Sequence, residues 1–265
     1  MESSARVSSL PVLPQYEGVV VVPRSRDYLV AGEKFPRVTT ALGIINKPAL
    51  VPWAKKVALA KVSAVLLDPE VQRELVVTME ESPADYGEFV QRVIDRASKA
   101  PDEARDESAG KGTATHLVIK DALQGGWLDP MNKAAHAALA FLEEYEIEVV
   151  DAERVVWSPT CRVAGTVDGI GWRGERLVIW DWKTGGAIYW ETALQLAAYA
   201  HLLEELTGVR VTVAYAVRLP RGEESEYEVK SLGSEGLDLA WDAYLAASNL
   251  HQAGKTTWWE VGDGV

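Results

Sequence analysis

The feature that most constrains this chain is a pair of segments, Val163-Ala-Gly-Thr-Val-Asp168 and Ile179-Trp-Asp-Trp-Lys-Thr-Gly-Gly186. Successive side chains of a β-strand point to opposite faces, so Asp181 and Lys183 share one face while Trp180 and Trp182 take the other. Val163–Trp172 also reads as a strand. Arg173-Gly-Glu-Arg176 supplies a four-residue turn, and the resulting hairpin sets Asp168 opposite Asp181. Two carboxylates facing each other across a ladder repel unless something neutralises them, and a divalent cation does that best. The hairpin therefore predicts a metal site.

At 265 residues and 48% hydrophobic, the chain is long enough for one large domain or a core domain with a helical attachment. No apolar run approaches the roughly 18 to 20 residues of a membrane span, and Met1–Leu10 lacks the apolar stretch of a signal peptide. A cytoplasmic protein with no membrane partner is expected. The single cysteine, Cys161, excludes an intramolecular disulfide and any four-cysteine zinc or iron–sulfur site from one chain. A net charge of −12 argues against a polyanionic partner only if it is evenly spread. It is not: Met1–Leu66 carries nine Lys and Arg against four Asp and Glu. A locally basic face on an acidic protein can hold phosphates.

Along the chain, Val19–Val22 and Tyr28–Val30 flank Pro23-Arg-Ser-Arg-Asp27 as a short hairpin with a basic tip. Pro36-Arg-Val-Thr-Thr40 caps a helix over Ala41–Ile45, and Ala49–Leu67 is an amphipathic helix carrying Trp53, Lys55, Lys56 and Lys61. Glu70–Lys99 is helical with a break near Ser82-Pro83, and Pro101–Ser108 reads as a linker or mobile loop. Gly110-Lys-Gly-Thr-Ala-Thr-His116 opens a helix to about Leu123. It is not a phosphate loop, because Arg105 stands where that motif needs glycine and Gly112 follows Lys111 where it needs serine or threonine. Met131–Tyr145 is a helix; Glu153–Trp157, Cys161–Trp172 and Arg176–Lys183 are strands. Glu191–Leu206 is a helix ended by Thr207-Gly208. Val209–Leu219 and Ser225–Leu232 form a further strand pair, and Leu237–Asn249 is the last helix. That order fits an α/β fold with a mixed central sheet flanked by helices.

Four elements point toward the opening hairpin. His116 lies on the preceding helix, Asp168 and Asp181-x-Lys183 on the hairpin, and Gln195 with Tyr199, four residues apart on one helix face, on the next helix. Taken together, Gly112-Thr-Ala-Thr-His116, Gly165-Thr-Val-Asp168, Asp181-Trp-Lys183-Thr and Gln195-x-x-x-Tyr199 resemble the RecB-like exonuclease branch of the PD-(D/E)XK nuclease superfamily, over roughly residues 110 to 201. Tyr28-Leu-Val-Ala-Gly, Phe35-Pro-Arg-Val-Thr-Thr and Pro48-Ala-Leu-Val-Pro-Trp53 resemble the leader region of bacteriophage-encoded members. With one cysteine, the chain departs from relatives that carry an iron–sulfur cluster.

The resemblance implies a restriction-endonuclease-like α/β fold with an N-terminal helical extension, divided as 1–108 and a nuclease core at 109–265. It implies a metal-dependent deoxyribonuclease that resects linear duplex or single-stranded DNA ends for recombination or repair. Asp168, Asp181 and the backbone carbonyl of Trp182 would bind one or two Mg²⁺ or Mn²⁺ ions, with His116 and Glu153 as further ligands. Lys183 would orient the nucleophile, steadied by Gln195 and Tyr199. Lys55, Lys56, Lys61 and Lys111 are candidate DNA contacts. A separately encoded single-strand annealing protein is the partner such phage enzymes suggest, in the host cytoplasm. A non-catalytic DNA-end or single-strand binding module on the same fold, and a structure-specific endonuclease, stay open beside the exonuclease.

Overall fold

The computed structural model describes residues 20–21, 27–45 and 47–254. The elements in chain order are β1 (Val20–Val21), β2 (Asp27–Val30), β3 (Glu33–Pro36), α1 (Val38–Ala41), α2 (Leu50–Leu66), α3 (Pro69–Glu81), α4 (Tyr86–Leu123), α5 (Lys133–Glu144), β4 (Glu148–Ser158), β5 (Val163–Arg173), β6 (Arg176–Lys183), α6 (Glu191–Thr207), β7 (Val211–Arg218), β8 (Glu228–Gly233) and α7 (Ser234–Ala253). Two compact units result, one of Met1–Ile45 with Thr115–Val265 and one of Asn46–Ala114.

The larger unit holds a five-stranded sheet in the order β4-β5-β6-β7-β8. It is mixed: β6 and β7 are parallel, and the other pairs are antiparallel. The parallel pair needs a crossover, which α6 provides. One apolar cluster joins Val163, Val167, Ile170 and Ile179 of the sheet to Leu196, Leu202 and Leu203 of α6 and Tyr244 of α7. A second cluster joins Trp180, Trp182, Tyr215 and Val217 to Phe141 and Leu142 of α5 and Ile119 of α4. With both faces covered, β6 reads as the nearly continuous apolar run Leu177–Trp182, interrupted by Asp181. A charged residue buried there needs partners.

A three-stranded antiparallel sheet of β1, β2 and β3 precedes it. Tyr28, Val30 and Phe35 pack on Trp157 and Ala164, and the guanidinium of Arg37 lies over the Tyr28 ring. The pairing of β1 with β2 agrees with the expected hairpin, whose basic tip at Pro23–Arg26 lies outside the described residues. The third strand was not apparent, because Glu33-Lys-Phe-Pro36 lacks an apolar alternation. Its turn uses Ala31 and Gly32 at φ 51° and 82°.

The smaller unit contains α2, α3 and the first part of α4. Asp68 caps α3 by accepting from the backbone of Glu70 at 2.8 Å, with proline at the next position. The expected linker at Pro101–Ser108 is instead helical, within the single helix α4. Proline removes one backbone hydrogen bond, but the flanking residues are good helix formers, and Arg105–Asp102 and Lys111–Glu107 pair along the surface at 2.9 and 2.7 Å. Gly110 therefore does not open a helix. Among the described residues no helix is long and apolar enough to cross a membrane.

Candidate active site

The β5–β6 ladder runs from Arg173↔Arg176 to Gly169↔Trp180, and one further step in that register sets Asp168 opposite Asp181. Both acids are buried. Gly169 is required at its position, because a Cβ there would sit 1.9 Å from the Trp180 ring. Asp168 accepts the backbone N–H of Trp182 through Oδ2 at 2.7 Å. The carboxylate thus ties the middle of β5 to β6 at the point where the ladder between them stops.

Glu153 lies in the middle of β4, which begins at Glu148 and not at Glu153 as the sequence suggested. Its neighbours pair as Ala152↔Gly169 and Arg154↔Val167, so it is bracketed against Asp168. Its φ of 57° is left-handed, a conformation that costs a non-glycine residue on the order of 1–2 kcal/mol. Side-chain alternation in β5 shifts at the same level, since Val163, Val167 and Ile170 all enter one apolar cluster. Strain at Glu153 thus coincides with the point where carboxylates are re-aimed.

His116, on the last turns of α4, meets this pair. Its Nδ1 is 3.4 Å from Glu153 Oε1 and 3.5 Å from Asp168 Oδ1, while Nε2 donates to the Trp182 carbonyl at 3.2 Å. That donation fixes the tautomer and leaves Nδ1 facing the acids. Burial works against a charge on His116, but hydrogen bonding to Asp168 and Glu153 and the charges of Asp168 and Asp181 push its pKa up to about 10. Burial and repulsion from Asp181 raise the Asp168 carboxyl to about 6, with His116 pulling the other way. Ligand atoms of His116, Glu153 and Asp168 lie within 4.8 Å of one another. One imidazole nitrogen with hard carboxylate oxygens, around an acid disfavoured as an anion, is a donor set that fits a divalent cation.

Asp181 lies outside that trio and belongs to a second network. Gln195 Nε2 donates to Asp181 Oδ1 at 2.8 Å and to Tyr199 Oη at 3.2 Å, and Gln195 Oε1 accepts from Lys183 Nζ at 3.0 Å. An ammonium cannot accept and a carboxylate cannot donate, so the orientation of this amide is determined. Lys183 Nζ also lies 2.8 Å from Asp181 Oδ2, an ionic contact, although that oxygen lacks an aligned hydrogen bond. Burial would lower the Lys183 pKa, but the negative charge of Asp181 at this short range outweighs it and the ammonium is held. Tyr199 is raised well above the usual phenol range by burial, then by Asp181 and Asp168, and stays neutral. Its ring occupies the space that Gly165 leaves: a Cβ on residue 165 would stand 2.4 Å from it.

The structure thus brings together His116, Glu153, Asp168, Asp181, Trp182, Lys183, Gln195 and Tyr199. Glu191 was missed by sequence reasoning, although its charge acts on Lys183; its place four residues before Gln195 on the same helix face was the available signal. Lys55, Lys56 and Lys61 are exposed on α2 in the smaller unit. There Lys61 shares a groove of about 670 Å³ with Arg92, Arg96 and Lys99, and with Asp68, Asp95 and Glu103. Lys111 is engaged by Glu107.

A family model described as the PD-(D/E)XK nuclease superfamily matches residues 66–253. No curated protein sequence matches the chain. Among solved structures, an alkaline exonuclease (LHK-Exo) from Laribacter hongkongensis is 14% identical over 56% of this chain and 84% of its own, with a TM-score of 0.26. The same exonuclease in complex with dAMP aligns at 16% identity over 54% and 80%, TM-score 0.28. A protein of Eubacterium rectale provisionally described as an exonuclease aligns at 12% identity over 66% and 67%, TM-score 0.32.

Proposed function

The chain belongs to the PD-(D/E)XK nuclease superfamily, and on that premise we propose that it is a Mg²⁺- or Mn²⁺-dependent DNA exonuclease that resects DNA ends for recombination or repair. The observation that carries this reading is the joining of two networks across one hairpin: a cation-ready trio at Asp168 and a clamped lysine at Asp181.

His116 Nδ1, Glu153 and Asp168, with Asp181 across the ladder, would hold the ion, the imidazole favouring Mn²⁺ over Mg²⁺. The Trp182 carbonyl, expected as a ligand, accepts from His116 Nε2 on the far edge of the ring and would orient that imidazole instead. A divalent cation, when bound, acidifies water and offsets phosphate charge. Lys183, kept protonated and aimed by Asp181 and Gln195, orients the attacking water and faces the charge that develops on the phosphoryl oxygens. Gln195 limits the rotamers open to that ammonium, so less entropy is lost on reaching the reactive arrangement. Tyr199, neutral and wedged on Gly165, holds the Gln195 amide in turn.

Incubating the protein with end-labelled linear duplex and with the same DNA as a covalently closed circle, in Mg²⁺ or Mn²⁺, tests the reading. Nucleotides released from the linear form with the circle intact support an exonuclease. Nicking of the circle points to an endonuclease, and metal-independent binding without cleavage to a binding module.

A further inference from the structure

Tyr189 and Trp190 are two adjacent large aromatics, 53% and 61% exposed, on the segment that joins Lys183 to the helix bearing Gln195. We propose that they form a stacking rim which engages an unpaired base at the DNA end being cut, so that the preferred substrate carries unpaired terminal nucleotides. This rests on the nuclease reading above.

Three observations support the rim. First, the segment is fixed. Ile188 is buried in the core and its carbonyl accepts from Lys230 Nζ at 3.1 Å, while the carbonyls of Tyr189 and Trp190 accept from the backbone of Thr192 and Ala193 at 3.0 Å each. Aromatics held out on an ordered backbone lose little entropy when a base stacks on them. Second, the rim leads directly into the helix that clamps the reactive lysine, because Gln195, five residues after Trp190, accepts from Lys183 Nζ at 3.0 Å. Third, cations flank the segment. Lys230 reaches Ile188, and Arg221 Nη1 stands 3.6 Å from the place a Cβ on Gly186 would take. The chain leading to Arg221 is tied to β6, since Leu219 N–H donates to the Lys183 carbonyl at 2.8 Å, and the Arg221 N–H itself donates to Glu224 Oε2 at 3.2 Å.

Aromatic faces beside cations, next to a phosphate-cleaving site, match a single-stranded nucleotide better than a duplex, whose bases already stack on one another. A lone exposed aromatic needs no explanation. An adjacent pair on a backbone-anchored segment beside the lysine does.

The test uses the full chain carrying Lys183→Ala, which prevents cleavage, and fluorescence anisotropy in Mg²⁺ with three labelled duplexes. One is blunt, one has a three-nucleotide unpaired extension, and one has the same extension with abasic sugars. The extension should bind more tightly than the blunt end, and removing its bases should weaken binding about 5- to 100-fold. Adding Trp190→Ala or Tyr189→Ala should cost a similar factor on the intact extension and leave the abasic probe nearly unaffected. Trp190→Phe should restore most of the loss. Equal affinity for intact and abasic extensions overturns the rim, as does a Trp190→Ala loss of the same size on both. Nucleotide release by the wild type is scored separately, so a protein that cleaves DNA but ignores the abasic change loses the rim and keeps the nuclease.

Discussion

Trp182 donates its backbone N–H to Asp168 Oδ2 at 2.7 Å, and the carbonyl of the same residue accepts from His116 Nε2 at 3.2 Å. One stretch of backbone in β6 therefore aims both an acid and an imidazole, leaving Asp168 Oδ1 and His116 Nδ1 turned toward Glu153. Charge and geometry conflict there in the metal-free protein, and much of the site's behaviour follows from that conflict.

Replacing Asp168 with Asn keeps an acceptor for the Trp182 N–H and removes a charge that burial and Asp181 disfavour. Asp168→Asn should abolish metal-dependent cleavage and flatten the fall in stability that the metal-free protein shows as pH rises from 7 to 10, because His116 loses an anion that raises its pKa. Thermal melts in EDTA across that range beside activity assays check it. An active variant, or one whose melting temperature falls with pH as steeply as the wild type's, contradicts the assignment.

Gln195→Ala removes the donor to Asp181 Oδ1 and the acceptor for Lys183. Leaving a buried carboxylate oxygen without its donor should cost about 1–3 kcal/mol. Turnover should drop about 10- to 100-fold with little change in metal affinity, which calorimetric Mn²⁺ titration and single-turnover kinetics separate.

Gly165→Ala should fail through crowding, since its Cβ would meet the Tyr199 ring at 2.4 Å. A loss of about 1–3 kcal/mol is expected. Gly165→Ala with Tyr199→Ala should be less destabilised than the two single changes summed, a coupling that a double-mutant cycle measures.

The His116 pKa of about 10 lies above its ordinary 6.5, so the stability it contributes in metal-free protein is fully present below about pH 6.5 and lost as pH rises through 10. Asp168, raised from 3.8 to about 6, likewise contributes below about pH 4 and loses that contribution as pH rises through 6. Melting temperature in EDTA should thus fall more steeply between pH 7 and 10 in the wild type than in His116→Gln. Because the ligating imidazole must be neutral, Mn²⁺ affinity should rise with pH over the same window.

The hairpin register was legible because a four-residue turn leaves few alternatives, and Asp181-x-Lys183 fixed which side chains share a face. The clamp by Gln195 was foreshadowed by its spacing from Tyr199. Glu153 was harder: its position inside a longer strand and its left-handed backbone are imposed by pairing with β5, not by local propensity. The continuity of α4 was hidden because Pro101 read locally as the start of a linker and Gly110 as the start of a new helix, while the helix around them is sustained by its other residues and their pairs. The clearances at Gly165 and Gly169 depend on aromatic rings from other elements, which no spacing rule reveals.

The most direct measurement is single-turnover release of nucleotides from end-labelled linear duplex at saturating Mn²⁺, comparing the wild type with Asp181→Ala and Lys183→Ala. The account predicts metal-dependent release by the wild type and a rate at least about 10³-fold lower in each variant. Release undiminished in either variant, or none from the wild type, would contradict a hydrolytic centre at Asp168, Asp181 and Lys183.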